Sequence, residues 1–289
     1  MTSKNPEYDF KWCPGCGDFG VRRALEGAIQ RRVVETETPM ESNVVVAGIG
    51  CSGNMVHMLE SDEQPYGFHG IHGRTLPIAM GVKMARPDLN VVVVAGDGDF
   101  LSIGFEHIAP QAARNLDVTA IVMDNGVYGL TKGQSSPTTD LGVVTSSTPF
   151  GKPEEKMNPF QLYLSMGVSF VASTMSSQIR PMTQMMVDAM EHPGFSIVHI
   201  QSPCTEYNNT YDILKGNPRK GIPGLAYDIP DDYDSTDVES AFDLSSSDGI
   251  PLGVIYQDSD RPTFDQRIDE ISEKARVKTV PGLLDTYTI

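Results

Sequence analysis

Residues Val91 to Gly133 read VVVVAGDGDFLSIGFEHIAPQAARNLDVTAIVMDNGVYGLTKG, a pattern of strand, glycine-rich turn, helix, second strand and second turn. Four consecutive valines suit a strand buried on both faces of a parallel sheet, where β-branched side chains pack and polar alternation is not needed. Ligands of such sheets bind at the carboxyl ends of the strands. There Gly96 and Gly98 are expected to let the backbone turn tightly and approach a bound group, while Asp97 supplies a carboxylate. The second strand, Val118–Asp124, ends in Asn125-Gly126, so two strand ends offer oxygen ligands. Mg²⁺ prefers oxygen and is commonly held by one or two protein groups together with substrate phosphates, a role Asp97 and Asn125 fit, with a diphosphate as third party. Taken alone, GDG is also an ordinary Rossmann-like turn without a metal.

Composition bounds the class. A chain of 289 residues, 39% hydrophobic and 21% charged, is expected to form one large or two modest soluble domains. The opening MTSKNPEYDF is polar and no apolar run approaches about 18 residues, so neither a signal peptide nor a membrane span is expected, and the cytoplasm is the expected compartment. A net charge of −16 argues against nucleic acid, which is held by clustered Lys and Arg. Much of the acid falls between Asp228 and Asp248, expected to be a solvated loop or tail.

The chain has four cysteines, Cys13, Cys16, Cys51 and Cys204. Cytoplasmic thiols stay reduced, which favours metal or redox chemistry over a disulfide framework. Cys13-Pro-Gly-Cys16 places two thiols on one tight turn, and Cys51 and Cys204 each follow an apolar strand, on the sheet edge that carries Asp97 and Asn125. Spacing leaves three readings open: an iron–sulfur cluster, a structural zinc, or unrelated thiols.

The spacing from GDG to Asn resembles that of the thiamine diphosphate enzymes, which implies Asp97 and Asn125 as side-chain Mg²⁺ ligands and Val127 as a ligand through its carbonyl. CPGCG, IGCSG, HGIHGRTLPIAMGVKMA, GDGDF and NGVYGLTKGQSSPT together resemble the β subunit of a 2-oxoacid:ferredoxin oxidoreductase. That resemblance implies an α/β thiamine diphosphate-binding fold, a mostly parallel sheet flanked by helices. Residues 1–225 would carry the diphosphate half and the cluster, and 226–289 an irregular acidic extension that docks a partner. It implies one 4Fe–4S cluster on Cys13, Cys16, Cys51 and Cys204. Cofactor contacts are implied at Ile49, Gly50, Cys51 and Ser52, at Gly70, Ile71, His72 and Gly73, at Gly98 and Asp99, and at Gly129, Leu130, Thr131, Lys132, Gly133 and Gln134. Cys51, Asn54 and Leu130 would sit at the reacting centre; some relatives carry lysine where Asn54 stands, so substrate choice does not transfer. The implied partners are an α subunit supplying the glutamate for the aminopyrimidine, in an αβ or (αβ)₂ assembly, ferredoxin as electron acceptor, and a 2-oxo acid with coenzyme A as substrates. 2-Oxoglutarate is favoured over pyruvate on family likeness. The alternatives are a thiamine decarboxylase or ligase with unrelated cysteines, and a nucleotide-binding regulatory module with structural zinc.

Elsewhere, Asp18 is expected to cap a helix through about Arg32 whose Arg22, Arg23, Arg31 and Arg32 form a basic face, either simply solvated or docking an acidic ferredoxin. A short helix is expected from Asn54 to Glu60. His69, His72 and Arg74, before a helix Thr75 to Arg86, suit an anion site. Phe100 to Asn115 reads as a helix divided at Pro110, and the loop Gly129 to Thr138 offers backbone N–H groups and Lys132 to a diphosphate. Strand and helix alternation is expected to continue through 161–165, 168–172, 178–191 and 195–201, with methionines 182, 185, 186 and 190 in the core. Gly216 to Gly224 reads as a loop, and Phe264 to Arg276 as a terminal helix.

Overall fold

The computed structural model describes residues 12–59, 64–276 and 279–287. The polar opening and the last residue of the helix expected over 54–60 lie outside them. The strands are β1 (Asn43–Ala47), β2 (Tyr66–His69), β3 (Asn90–Gly96), β4 (Val118–Asp124), β5 (Val127–Tyr128), β6 (Gln134–Ser135), β7 (Phe170–Met175), β8 (Phe195–Gln201), β9 (Ala226–Asp228) and β10 (Ile250–Gln257). The α-helices are α1 (Asp18–Thr36), α2 (Met55–Met58), α3 (Thr75–Ala85), α4 (Ile108–Arg114), α5 (Pro159–Ser165), α6 (Ile179–Glu191), α7 (Tyr211–Lys215), α8 (Val238–Ser245), α9 (Phe264–Arg276) and α10 (Val280–Leu284).

Eight strands form one sheet in the order β2-β1-β3-β4-β8-β7-β10-β9, parallel at every pairing except β7 with β10; β5 and β6 make a separate hairpin. The valine run explains the layering. Val92 and Val94 face a core built with α1 and α6, whereas Val91 and Val93 face a second core built with α3, α4, α5 and α8. Successive strand side chains alternate between faces, so a strand covered on both sides must be apolar throughout. The four methionines of α6 are buried in the first of these cores.

Several expectations change. Gly17, not Asp18, is the N-cap of α1, and the helix runs on to Thr36. Arg22 donates to the Met58 carbonyl at 3.3 Å and pairs with Glu26 at 3.7 Å, while Arg31 pairs with Glu35 at 2.6 Å and with Gln184, so much of the basic face is engaged; Arg23 is exposed. The stretch after β3 is broken at Gly104 rather than at Pro110: a π-helical turn spans Asp99–Ile103, and Pro110 sits in the first turn of α4, where a backbone donor has no intrahelical acceptor to satisfy. Residues 161–165 are helical, capped by the Asn158 side chain accepting from the N–H groups of Phe160 and Gln161.

The acidic stretch 228–248 has its acids exposed, as expected of a solvated segment, but it is not all loop or tail. It contains the end of β9 and the whole of α8, whose Ala241 is fully buried against the sheet. Ser and Asp serve there as caps: Asp237 accepts from Glu239 N–H at the start of α8. The sheet runs through residue 225 into β9 and β10, so the carboxyl-terminal part is regular and continuous with the rest. No helix among the described residues is long and apolar enough to cross a membrane.

Candidate active site

Four strand-end loops converge on one cleft, lined by residues following β1 (Ile49, Gly50, Cys51, Ser52), β2 (His72), β3 (Asp97, Gly98, Asp99) and β4 (Asn125, Val127 to Thr131), with Asp18 and Met123. The three expected Mg²⁺ ligands therefore share one wall. Asp97 is buried; one of its oxygens lies 3.5 Å from the Asn125 N–H and the other 2.8 Å from Thr138 Oγ1. The Asn125 side-chain oxygen accepts from Val127 N–H at 3.0 Å, a tight turn that fixes its direction. Burial, then the neighbouring Asp124 carboxylate, push Asp97 up to about 8. Burial also works against ionised Asp124, but the hydrogen bond and charge of His199 outweigh it and hold Asp124 below its ordinary value. A buried carboxylate disfavoured in this way, opening on a cleft beside an amide oxygen and a backbone carbonyl, fits a divalent cation.

Gly98 is required for close approach rather than for a turn. Its φ is −65°, and a Cβ there would lie 2.6 Å from Cζ of Tyr128, whose hydroxyl donates to the Gly98 carbonyl at 3.1 Å. Asp99 clasps three loops: its Oδ1 accepts from Gly73 N–H at 2.8 Å and Ile49 N–H at 3.2 Å and lies 2.6 Å from His72 Nδ1, while its buried Oδ2 has no hydrogen-bond partner among the described residues. Gly73 has φ +69° and a Cβ there would meet the Ile103 backbone at 2.6 Å, so the loop can reach Asp99 only as glycine.

The cysteine segments are sewn together by backbone. Gly17 N–H donates to the Pro203 carbonyl at 3.1 Å, Thr205 Oγ1 to the Pro14 carbonyl at 3.0 Å and Trp12 Nε1 to the Cys51 carbonyl at 2.7 Å. An added Cβ at Gly129 would lie 3.5 Å from the Cys51 sulfur and 3.7 Å from that of Cys204. Cys13, Cys16, Cys51 and Cys204 are all free thiols. Burial pushes Cys51 up to about 12, with added repulsion from Asp18, Cys204 and Cys13; burial also raises Cys16, again with Asp18, Cys51 and Cys204 as neighbours, and raises Cys13. Among the described residues no three His, Cys, Asp or Glu side chains close on a single ion. Cys51 and Cys204 both lie against Gly129, and the CPGC turn is bonded to the loops that carry them, so the donor set of four thiols fits an iron–sulfur cluster.

Other expected contacts stand apart from the cleft. Lys132 and Gly133 lie at the tip of the β5–β6 hairpin, where their N–H groups donate to the carbonyls of Gly129 and Tyr128, and Gln134 is bonded to Thr131. These donors are used inside the turn. Gly70 N–H donates to the Ala47 carbonyl, Ile71 is exposed, and Asn54 ends a 3₁₀ turn after Cys51; none of the three lines the cleft. Of the expected anion site only His72 reaches it. His69 is paired with His57 at 2.8 Å, and Arg74 is held by the Ile103 carbonyl at 2.9 Å and by Glu106 at 3.3 Å. Sequence reading missed Asp18 as a cleft residue, because its place after CPGCG suggests a helix cap; it is buried and accepts from Ser202 Oγ at 2.5 Å.

Residues 48–200 match the family described as thiamine pyrophosphate enzyme, C-terminal TPP binding domain, and residues 223–273 match the family described as the C-terminal part of the pyruvate ferredoxin oxidoreductase beta subunit. The 2-oxoacid:ferredoxin oxidoreductase subunit beta of Saccharolobus solfataricus is 37% identical over 270 residues, 90% of this chain and 86% of that protein. The chain belongs to the 2-oxoacid:ferredoxin oxidoreductase β-subunit family. Another member, the 2-oxoglutarate oxidoreductase subunit KorB of Mycobacterium tuberculosis, is 40% identical over 210 residues, 72% of this chain and 54% of that protein. The fold is also that of 2-oxoglutarate:ferredoxin oxidoreductase from Magnetococcus marinus, a structure with 2-oxoglutarate, coenzyme A and succinyl-CoA bound: TM-score 0.83, 35% identity, covering 96% of this chain and 92% of that one. As a β subunit with a thiamine pyrophosphate-binding domain, the chain is part of an oxidoreductase and works with an α subunit.

Proposed function

We propose that this β subunit serves a CoA-dependent 2-oxoglutarate:ferredoxin oxidoreductase, which converts 2-oxoglutarate, CoA and two oxidised ferredoxins reversibly to succinyl-CoA, CO₂, a proton and two reduced ferredoxins. The observation that carries it is the shared wall of the cleft, which holds Cys51 together with Asp97 and Asn125. An organic redox centre bound there would stand beside the thiols. 2-Oxoglutarate, rather than another 2-oxo acid, is supported by the KorB relatives and by the Magnetococcus structure; the pyruvate-type match at residues 223–273 favours pyruvate as the second reading.

Bound thiamine diphosphate would supply the electron sink for decarboxylation, and a 4Fe–4S cluster an acceptor for single electrons. Asp97, Asn125 and the Val127 carbonyl would hold Mg²⁺ and through it the diphosphate; Cys13, Cys16, Cys51 and Cys204 would hold the cluster. Asp99 fixes the loops after β1 and β2 against the cleft, and Met123 and Leu130 line it with apolar surface.

The test is co-expression with the neighbouring α-subunit gene and anaerobic purification. Expected are brown protein with about four irons per β chain, bound thiamine diphosphate, and viologen reduction that is CoA-dependent and fastest with 2-oxoglutarate. Colourless protein that decarboxylates without an electron acceptor would overturn the cluster chemistry; preference for pyruvate would overturn the substrate.

A further inference from the structure

A chain of buried polar groups runs from the core to the candidate metal site. The Tyr163 hydroxyl lies 3.1 Å from His199 Nδ1, and His199 Nε2 lies 3.0 Å from Asp124 Oδ2. Asp124 Oδ1 accepts from Gly126 N–H at 2.9 Å and from Thr138 Oγ1 at 2.7 Å, and the same Thr138 oxygen is 2.8 Å from Asp97 Oδ2. Tyr163 and His199 are completely buried, and Asp124 and Asp97 nearly so. Such a network is costly in a core unless every member is satisfied, and hydrophobic residues would fill the same space more cheaply.

We propose that His199 and Thr138 are positioning residues for Mg²⁺ and thiamine diphosphate, His199 acting through Asp124 on Asn125 and Thr138 acting directly on Asp97. Nε2–H donates to the Asp124 carboxylate, and Nδ1 meets the Tyr163 hydroxyl on the other side of the ring. Held from behind, Asp124 braces the Asp124-Asn125-Gly126 turn through Gly126 N–H and so aims Asn125 at the cleft. Thr138 links the two carboxylates and occupies Asp97 Oδ2, which turns Oδ1 toward Asn125 and the cleft. Outer partners of this kind set ligand orientation, and their loss weakens metal binding by about 10–100-fold.

The inference rests on the proposed Mg²⁺ and thiamine diphosphate site, and one experiment separates the two. Complexes with the α subunit, stripped of Mg²⁺ and thiamine diphosphate, are titrated with both, and binding is followed by calorimetry, with iron content and melting temperature measured alongside. Thr138→Val and His199→Gln should bind about 10–100-fold more weakly at unchanged iron content, Thr138→Ser should restore binding, and Asp97→Ala should abolish it. Wild-type affinity in Asp97→Ala would sink the site itself. Loss in Asp97→Ala together with wild-type affinity in Thr138→Val would sink only the positioning role. Because the buried His199→Gln change can unfold the chain, Thr138→Val and its serine rescue decide the matter.

Discussion

Trp12 and Gly98 show how single residues set the two halves of the site. Trp12 packs edge-on against Phe19 with ring centroids 5.2 Å apart and donates from Nε1 to the Cys51 carbonyl, tying the CPGC turn to the loop after β1. Trp12→Phe keeps the ring packing and removes the bond at a cost of about 0.5–1.5 kcal/mol, since the Asn54 N–H still donates to the Cys51 carbonyl. The brown colour should bleach faster in air while thiamine diphosphate content stays at the wild-type level; equal bleaching rates would show that the bond does not brace the cluster loop. Gly98→Ala should lower stability by about 1–3 kcal/mol by forcing the Tyr128 ring aside. Denaturation of Gly98→Ala, Tyr128→Ala and the double variant should be non-additive, because the added methyl and the ring compete for one space.

At the scale of elements, the strands were the most legible part of the sequence. β4 and β8 fall where apolar runs predicted them, since a strand buried on both faces has no polar positions to blur its ends. The places of Cys51, Cys204, Asp97 and Asn125 in the fold were legible because each stands just past an apolar strand. What failed depended on contacts distant in sequence: Asp18 looks like a cap until Ser202 is brought to it, and the donors of the Lys132 loop look free until the β5–β6 hairpin forms. His199 gave no signal at all, being one polar residue, like Ser196, within a buried strand. For α1 the structure narrows the docking idea to Arg23 and Arg32, of which Arg23 is the exposed one, since Arg22 and Arg31 are held within the chain. Arg23→Glu should slow reduction of an acidic ferredoxin at low salt and leave viologen reduction unchanged, with the difference vanishing as salt screens the surface. Ferredoxin kinetics unaffected at low salt would leave Arg23 a solvated residue.

For the molecule as a whole, the antiparallel pairing of β10 on β7 closes the sheet edge that a chain ending at residue 225 would expose. Such a truncation should be insoluble when expressed with the α subunit, because β7 would present unpaired backbone to other chains; a soluble, thiamine-binding fragment would instead establish 1–225 as a domain. The buried acids make a further demand on the intact fold. Before Mg²⁺ binds, Asp97 is raised to about 8 by burial and Asp124, and Asp18 to about 6 by burial. Both begin from an ordinary value of 3.8, so between that pH and the folded value the native state holds protons that the unfolded chain has released. Stability of the Mg²⁺-free protein must then fall as pH rises, through both windows together up to about 6 and through that of Asp97 alone from there to about 8. In the proposed site, Mg²⁺ with thiamine diphosphate would bind the ionised form of Asp97 and remove its part of the loss. Melting curves of the stripped complex should therefore fall from pH 5 to pH 8, and the gain on adding both should be larger at pH 8 than at pH 5; an equal gain at both would mean that Asp97 is not the group the cation relieves.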